Sequence, residues 1–552
     1  MKKIITRLFI LGALIALLPA GAAAQQLDAR QRNAETVVAD GLAQLPAATP
    51  AVFNEVMGEL AATGSAGIEM IAGMLTPADK GKNATLEYAL NGITAYATAP
   101  GNEALCADVR KGLVRAIERC ADNANRAFLF SQLQLCSAAE DAAWILPYLD
   151  DSYLSDYAIR ALISTPGTEP VLLAEARKEG LAAERKRALA YAFAEKRMTQ
   201  AEPLLLGWLG GADARTAEQI YNALAVCGSR ASLKPLAAAA AEAGYGWDNT
   251  GAADAYLRLL ANLVAAGDAQ PAVKAAKGLL KCDRQYVRGA ALAVLADALG
   301  TEKAMPYVLA AVKEGPAEYR YAALQTLGKG DDEIFARVAA GMPRYDAETR
   351  TAVLAWLGDC GAVSQSGVIT GAVTSSDDRV ARAAIEASGR IGGEQALAAL
   401  VSALEGPHAE AAEKALLAFN GRIDPMVERL LARDDAEVLV PALRLAAARR
   451  MTVAADRVFA LLETSDKQVR EAAYAALPYV TGPRHMDRLA GLLDAADGQH
   501  AAQIQTALIR TSAQLPADKR YGAIAGYMRA SKIPARYYPV LAQTGAPEAV
   551  AS

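Results

Sequence analysis

The stretch DDRVARAAIEASGRIGGEQALAALVSALE, residues 377–405, decides the fold. It begins with two aspartates, continues as an alanine-rich segment up to Gly389, and then carries Leu397, Leu400 and Leu404 at helical spacing. Alanine and leucine favour the helix, and apolar residues three and four apart place one helix face toward a core. The stretch therefore predicts two short helices joined by a turn, that is, a helical hairpin.

The alanine-rich half of this stretch recurs along the chain at a nearly constant interval. Counting from Arg288, the matching positions Arg320, Arg350 and Ala381 follow at steps of 32, 30 and 31 residues, and Arg470 continues the phase. Weaker copies of the pattern keep the same phase near positions 54, 86, 125, 155, 185, 217, 253 and 502. A fixed period of about 31 residues is typical of stacked hairpins, and the chain has room for about fifteen of them.

Aspartate and glycine mark the expected ends of the helices. Asp377 and Asp466 precede alanine-rich segments, where an N-cap carboxylate accepts hydrogen bonds from the first amides of a helix. Gly358, Gly389 and Gly421 stand where the first helix of a hairpin is expected to end. Since one hairpin cannot bury both of its faces, the units are expected to stack and to stabilise one another.

These units resemble HEAT repeats, in the short form known as HEAT-like. The resemblance extends over residues 50–552, with the best-matching units at 283–405 and 466–493. It implies an all-α, right-handed solenoid whose concave surface binds a protein or peptide partner. It fixes no activity, because a fold does not define a function.

The first 24 residues are typical of a secretory signal peptide. A positively charged start and a short apolar run lead to the small residues Ala22–Ala24, which predicts cleavage between Ala24 and Gln25. We therefore expect a periplasmic or secreted protein of a Gram-negative bacterium, with residues 25–49 leading into the repeats. The apolar run is about eleven residues, too short to span a bilayer, so no membrane anchor is expected.

The overall charge argues against nucleic acid as a partner. The formal net charge is −4 and the isoelectric point is about 5.7. A surface that binds nucleic acid needs clustered positive charge to neutralise phosphates. A protein or peptide partner is favoured, and a glycan is the second class considered.

The cysteines favour packing over chemistry. No C-x-x-C pair is present, and Cys136, Cys227 and Cys360 recur ten or eleven residues after the anchor of their repeats. A residue that recurs in one repeat position is typical of packing near the inter-helix turn, with a disulfide between neighbouring units as the alternative. The remaining cysteines are Cys106, Cys120 and Cys282.

Neither the histidines nor any short motif predicts a metal site or an active site. His408 begins an H-x-E but lacks the P-C-x-x-C of zinc deaminases. His485 and His500 have no third ligand nearby in the sequence. We therefore expect no cofactor, no bound metal and no enzyme activity.

The recurring arginines allow two interpretations. Arg288, Arg320, Arg350 and Arg470 could form a ladder that binds an anionic ligand, or they could join consecutive units. The second is favoured, because Asp466 precedes Arg470 by four residues and could pair with it. An exposed pair of this kind contributes only about 0–1 kcal/mol.

One insertion in the repeats predicts a ligand-binding loop. The segment GYGWDNTG, residues 244–251, carries Tyr245, Trp247, Asp248 and Asn249 between two helices. Aromatic residues flanked by glycine and polar residues suit stacking against a sugar or a peptide, although they also suit the covering of a helix end. The other tryptophans are expected in the core.

The C-terminal residues predict an unfinished hairpin, since the last helix would stop after about one turn. Two functions follow. The first is an exported, non-catalytic scaffold that binds a protein or peptide. The alternative is the N-terminal repeat arm of a larger secreted carbohydrate-active enzyme, of which this chain is a piece.

Overall fold

The structure is a computed structural model, and it describes residues 33–419, 421–496 and 498–545. Over these residues every regular element is a helix, which confirms the all-α class. None of the described helices is long and apolar enough to cross a membrane. The predicted signal peptide, with Ala24 and Gln25, and the predicted unfinished helix after Gly545 lie outside the described residues.

The chain divides into two units, Met1–Leu279 and Leu280–Ser552. The helices of the first unit are α1 (Ala34–Ala43), α2 (Pro50–Ala62), α3 (Gly64–Gly73), α4 (Ala84–Ala97), α5 (Glu103–Arg119), α6 (Asn123–Cys136), α7 (Ala142–Ile145), α8 (Ser155–Ser164), α9 (Glu169–Ala176), α10 (Ala183–Glu195), α11 (Glu202–Trp208), α12 (Ala214–Cys227), α13 (Arg230–Glu242), α14 (Ala252–Ala265) and α15 (Ala269–Leu279). The helices of the second unit are α16 (Gln285–Leu299), α17 (Thr301–Glu314), α18 (Ala317–Thr326), α19 (Asp332–Ala339), α20 (Ala347–Cys360), α21 (Ser366–Gly371), α22 (Asp378–Ile391), α23 (Gly393–Ala403), α24 (Ala409–Leu417), α25 (Asp424–Leu431), α26 (Ala436–Ala448), α27 (Ala455–Leu461), α28 (Lys467–Val480), α29 (Met486–Ala495), α30 (Ala501–Ser512), α31 (Ala517–Ala530) and α32 (Tyr538–Ala542).

After α1 the helices alternate between the first and the second helix of a hairpin. The first helices are the even-numbered ones from α2 to α30, so the described residues hold fifteen hairpins. Every predicted anchor position falls in the opening turns of a first helix. Within each unit, successive first helices pack on one another, and the second helices pack against neighbouring first helices. The chain is therefore an all-α solenoid, as predicted; the handedness of the superhelix stays a prediction.

Gly358 and Gly389 lie in the last turn of a first helix, two residues before its end, which shifts the predicted helix ends by two residues. Both α20 and α22 continue past these residues. A Cβ at Gly358 would lie 2.8 Å from the Cα of Ala387, and one at Gly389 would lie 3.1 Å from the next first helix. Small residues therefore let neighbouring first helices touch at backbone distance. Gly421 does lie in the turn after α24, with φ of 153°.

The predicted N-caps are confirmed at Asp377 and Asp466. The Asp466 carboxylate accepts hydrogen bonds from the backbone amides of Gln468 at 2.8 Å and Val469 at 3.0 Å. The first amides of a helix have no acceptor within the helix, and a side-chain oxygen at the N-cap supplies one. These two caps fix where α22 and α28 begin.

Replacing Asp466 by alanine is expected to lower the free energy of unfolding by about 1 kcal/mol, because two amides at the start of α28 lose their acceptor. Chemical denaturation followed by circular dichroism measures the change. The matched control is Lys467→Ala at the exposed neighbouring position, which is expected to stay within about 0.5 kcal/mol of the natural chain. Equal losses in the two variants would contradict the capping role.

Candidate functional site

The loop between α13 and α14 holds the four residues that the sequence predicts to bind a ligand. Trp247 is 91% exposed and Asn249 is exposed beside it, whereas Tyr245 and Asp248 are half-buried. Thr250 Oγ1 donates to Asp248 Oδ2 at 2.7 Å. The other Asp248 oxygen is shielded from solvent and accepts no hydrogen bond from a described residue. The loop thus presents Trp247 and Asn249 to solvent, while Asp248 contributes to its shape.

Backbone contacts hold this loop against the end of α13. The Tyr245 amide donates to the carbonyl of Ala240 at 2.8 Å. Gly244 and Tyr245 have φ of 57° and 53°, the left-handed conformation that often ends a helix. For tyrosine this conformation is unfavourable and persists only where the surrounding contacts impose it. The loop is therefore a defined turn, with Trp247 two residues beyond it.

The other three tryptophans lie against aromatic rings. Trp356 is buried in the core, as predicted, whereas Trp144 and Trp208 are half-buried. Ring centroids in these pairs are 5.4 to 6.3 Å apart, which is the range of favourable aromatic contacts. The pairs are Phe130–Trp144, Phe193–Trp208 and Phe335–Trp356.

The six cysteines are free thiols, and Cys136 and Cys227 are buried. Burial raises the pKa of Cys136 to about 12 and that of Cys227 to about 11. Because the thiolate is the nucleophile and the metal ligand, both thiols are poorly suited to either role. Cys227 Sγ donates to the carbonyl of Phe193 at 3.1 Å, and Cys360 Sγ to that of Gly328 at 3.6 Å. Cys227 and Cys360 therefore contact the end of the preceding first helix, whereas Cys136 Sγ donates to the carbonyl of Gln132 in its own helix.

The histidines contact neighbouring carboxylates or backbone groups rather than one another. His408 Nε2 lies 3.6 Å from Asp378 Oδ1, and His500 Nε2 lies 3.2 Å from Glu471 Oε1. His485 Nδ1 accepts a hydrogen bond from a backbone amide at 3.0 Å, and burial lowers the pKa of its ring. In the part of the chain that the structure describes, no three His, Cys, Asp or Glu side chains are grouped to hold a metal ion.

Three of the four recurring arginines bind carbonyls at or just past the end of the preceding second helix. Arg320 is 5% exposed and donates to two backbone carbonyls at the end of α17, at 3.2 and 3.0 Å. Arg350 and Arg470 donate at 3.0 and 2.7 Å to carbonyls in the turn three residues past the ends of α19 and α27, whereas Arg288 lies over a tyrosine ring at 4.0 Å. The last carbonyls of a helix have no hydrogen-bond donor within the helix, and they favour cationic donors. The arginines thus join consecutive hairpins through carbonyls rather than through the predicted aspartate.

A groove that the sequence analysis does not predict crosses α10 and α12 in the first unit. It consists of two adjoining cavities of about 370 and 440 Å³ that share Tyr191 and Gln219 in their walls. Tyr191 is 40% exposed, so its ring divides the groove without closing it. We call this surface the Tyr191 groove. Its polar lining includes Asp156, Glu195, Arg197, Gln219 and Asn222.

Several polar groups of the Tyr191 groove are not used within the fold. Asp156, Glu195 and Arg197 make no ion pair or side-chain hydrogen bond with another described residue, and the Gln219 amide makes none either. Asn222 accepts from a neighbouring arginine through Oδ1 at 3.1 Å, which leaves its Nδ2 group for other acceptors. The groove therefore combines an accessible aromatic ring with charges of both signs and with side-chain amides.

Some of the exposed charges on the first helices of the second unit pair across neighbouring hairpins. Arg390 pairs with Asp359 at 2.9 Å and Arg444 with Glu413 at 3.0 Å, whereas the exposed Arg382 has no such partner among the described residues. Such pairs occupy the donors and acceptors that a ligand would need. The Tyr191 groove combines its unpaired polar groups with an open aromatic ring that lines two adjoining cavities.

Sequence reasoning misses the Tyr191 groove because no motif marks it. A helical projection does place Tyr191 opposite the buried residues Leu189 and Phe193 of α10, so its exposure could be inferred. The cavities, however, also require α8, α12 and α14 at the right distance. That packing is a tertiary property.

Fold and groove together define a class: an all-α solenoid of two-helix hairpins with an open groove on its first helices. No protein-family model matches the chain. No curated protein matches it either.

Some solved structures are similar to this chain. A Kap121p mutant has 13% identity and a TM-score of 0.37, with 93% of this chain and 59% of that chain covered. Kap121p bound to RanGTP has 14% identity and a TM-score of 0.38, with 88% and 57% covered. A structure of Kap95p binding to RanGDP has 11% identity and a TM-score of 0.34, with 96% and 80% covered. This chain thus spans less than two thirds of the two Kap121p chains, and at these low values we draw no conclusion about its partners.

Proposed function

We propose that this protein is a non-catalytic scaffold that binds an extended segment of a partner protein in the Tyr191 groove. The observation that carries the proposal is the open tyrosine ring that lines two adjoining cavities, whose walls include several polar groups without partners among the described residues. Tyrosine is enriched among the residues that dominate protein interfaces, because its ring contributes both apolar area and a hydroxyl.

The chemistry of the groove suits an extended peptide. Each residue of such a segment exposes a backbone amide and a carbonyl that need partners. The Gln219 amide and the Nδ2 group of Asn222 can supply them, and the cavities on either side of Tyr191 can take alternate side chains. Asp156 and Glu195 favour a basic side chain, whereas Arg197 favours an acidic one.

The absence of catalysis and the location of the protein are parts of the same proposal. The buried thiols of Cys136 and Cys227 have raised pKa values, and the histidines are engaged with neighbouring groups, which supports a binding role. Export to the periplasm or beyond rests on the first 24 residues of the sequence. The carbohydrate-active alternative rests on the C-terminal residues outside the described range and on the loop with Tyr245 and Trp247, and no feature of the groove favours it.

Replacing Tyr191 by alanine is expected to weaken binding of the partner roughly thirtyfold, since an aromatic residue at the centre of an interface contributes about 2 kcal/mol. The partner is first recovered with the whole chain from cells that produce it, and its affinity is then measured by titration calorimetry. The matched control is Tyr321→Ala, an exposed tyrosine on α18 of the second unit. Recovery of no protein, or equal affinities in both variants, would contradict the proposal.

A further inference from the structure

Trp247 is the most exposed of the large apolar side chains in the described residues, at 91%. Exposure of this kind is unusual, since tryptophan is highly buried on average. The loop that carries it is held by the turn at Gly244 and Tyr245 and by the Thr250–Asp248 hydrogen bond. The ring is therefore presented on a defined turn rather than on a structureless segment.

The residues next to Trp247 in the chain are polar or small. Gly246 precedes it and Asp248 and Asn249 follow it, and the Asn249 amide makes no hydrogen bond with a described residue. A protein interface packs its central aromatic residue among other side chains that exclude water from it, as the walls of a groove do. An indole that is 91% exposed on a loop has no such walls around it.

A sugar ring fits these surroundings better. A pyranose whose hydroxyl groups are equatorial has flat faces of C–H bonds, which pack against an aromatic ring, while the hydroxyl groups at its edge need hydrogen-bond partners. The indole supplies the flat apolar surface, and the Asn249 amide can both donate to and accept from a hydroxyl. Chains of β-linked glucose-type sugars present such faces most regularly.

We propose that the Trp247 loop, residues 244–251, is a carbohydrate-binding platform. The pyranose stacks on the Trp247 indole, Asn249 binds hydroxyl groups at the edge of the ring, and Asp248 and Tyr245 hold the turn that positions both. The proposal is independent of peptide binding in the Tyr191 groove, and either can fail without the other.

The test uses the whole chain and two soluble probes, the hexasaccharides of β-1,4-linked glucose and of β-1,4-linked N-acetylglucosamine. Titration is followed by tryptophan fluorescence and by calorimetry. We expect the fluorescence of the exposed indole to shift toward shorter wavelength and to become protected from acrylamide quenching. One of the two probes is expected to bind with a dissociation constant in the millimolar range or below.

The variants separate stacking from other causes. Trp247→Ala is expected to weaken binding about tenfold or more, Trp247→Phe to retain part of it, and Asn249→Ala to weaken it severalfold. Tyr321→Ala, which removes an exposed tyrosine elsewhere, is the control and is expected to bind normally. No binding of either probe up to about 10 mM would overturn the proposal, as would unchanged binding by Trp247→Ala. Protection of Trp247 by a protein partner and by neither sugar would overturn it as well.

Discussion

Replacing Gly358 by alanine is expected to lower the free energy of unfolding by about 1–3 kcal/mol, although alanine favours the helix more than glycine does. The added methyl group would lie 2.8 Å from the Cα of Ala387, a backbone atom of α22 that cannot rotate away. The two first helices must therefore separate, and their contact is lost along its length. Chemical denaturation measures the loss, and hydrogen exchange of the α20 and α22 amides shows whether it is local.

The matched control is the same substitution at Gly526, in the interior of α31. That position is exposed, and a Cβ there would meet nothing within 4 Å. Gly526→Ala is therefore expected to stabilise the chain by up to about 1 kcal/mol, through helix propensity alone. A Gly358→Ala chain as stable as the Gly526→Ala chain would show that the first helices are not in backbone contact.

Replacing Arg320 by leucine is expected to lower the free energy of unfolding by about 3 kcal/mol. The buried guanidinium donates to the carbonyls of Val312 and Gly315 and pairs with Glu348 at 2.8 Å. Leucine leaves those carbonyls without a donor inside the protein. Thermal and chemical denaturation measure the effect, with loss of α17 protection in hydrogen exchange as the local signature.

Two further variants test the cause of this loss. Arg320→Lys keeps the charge but not the planar fork that reaches several acceptors, so an intermediate loss is expected. Arg382→Ala removes an exposed arginine of α22 that makes no contact of this kind, and its effect is expected to stay within about 0.5 kcal/mol. Equal effects of Arg320→Leu and Arg382→Ala would contradict the role of the recurring arginine.

The period of the sequence predicts the fold because each repeat carries its own local signals. Asp377 and Asp466 act as caps through hydrogen bonds to residues two and three positions later, so neighbouring sequence is sufficient to identify them. The anchor positions likewise depend only on the spacing of apolar and small residues. Local chemistry repeated at a fixed interval is what sequence reasoning detects best.

Sequence reasoning fails where the answer depends on a neighbouring hairpin. Glycine is used both to end a helix and to let two helices touch, and only the position of Ala387 shows that Gly358 does the second. Arg470 has Asp466 close in sequence, but that carboxylate already serves the first amides of α28, so the arginine binds a carbonyl instead. In both cases the sequence shows the residue type, but it does not show which group that residue contacts.

The same reason explains the outcome for the candidate sites. The Trp247 loop interrupts the period, which makes it visible in the sequence, and the structure adds that its indole is exposed. The Tyr191 groove keeps the period, and its walls come from four separate first helices. Nothing in the spacing of residues distinguishes that surface from the first helices of the second unit.

The central claim is that a partner protein occupies the Tyr191 groove, and site-specific photo-crosslinking tests it most directly. A benzophenone amino acid is introduced at Gln219, which lines both cavities, and at Gln325, an exposed glutamine of α18, as the control. In cells that produce the whole chain, we predict one discrete protein adduct from position 219 and none from position 325. No adduct at position 219, or the same adduct from both positions, would contradict the account.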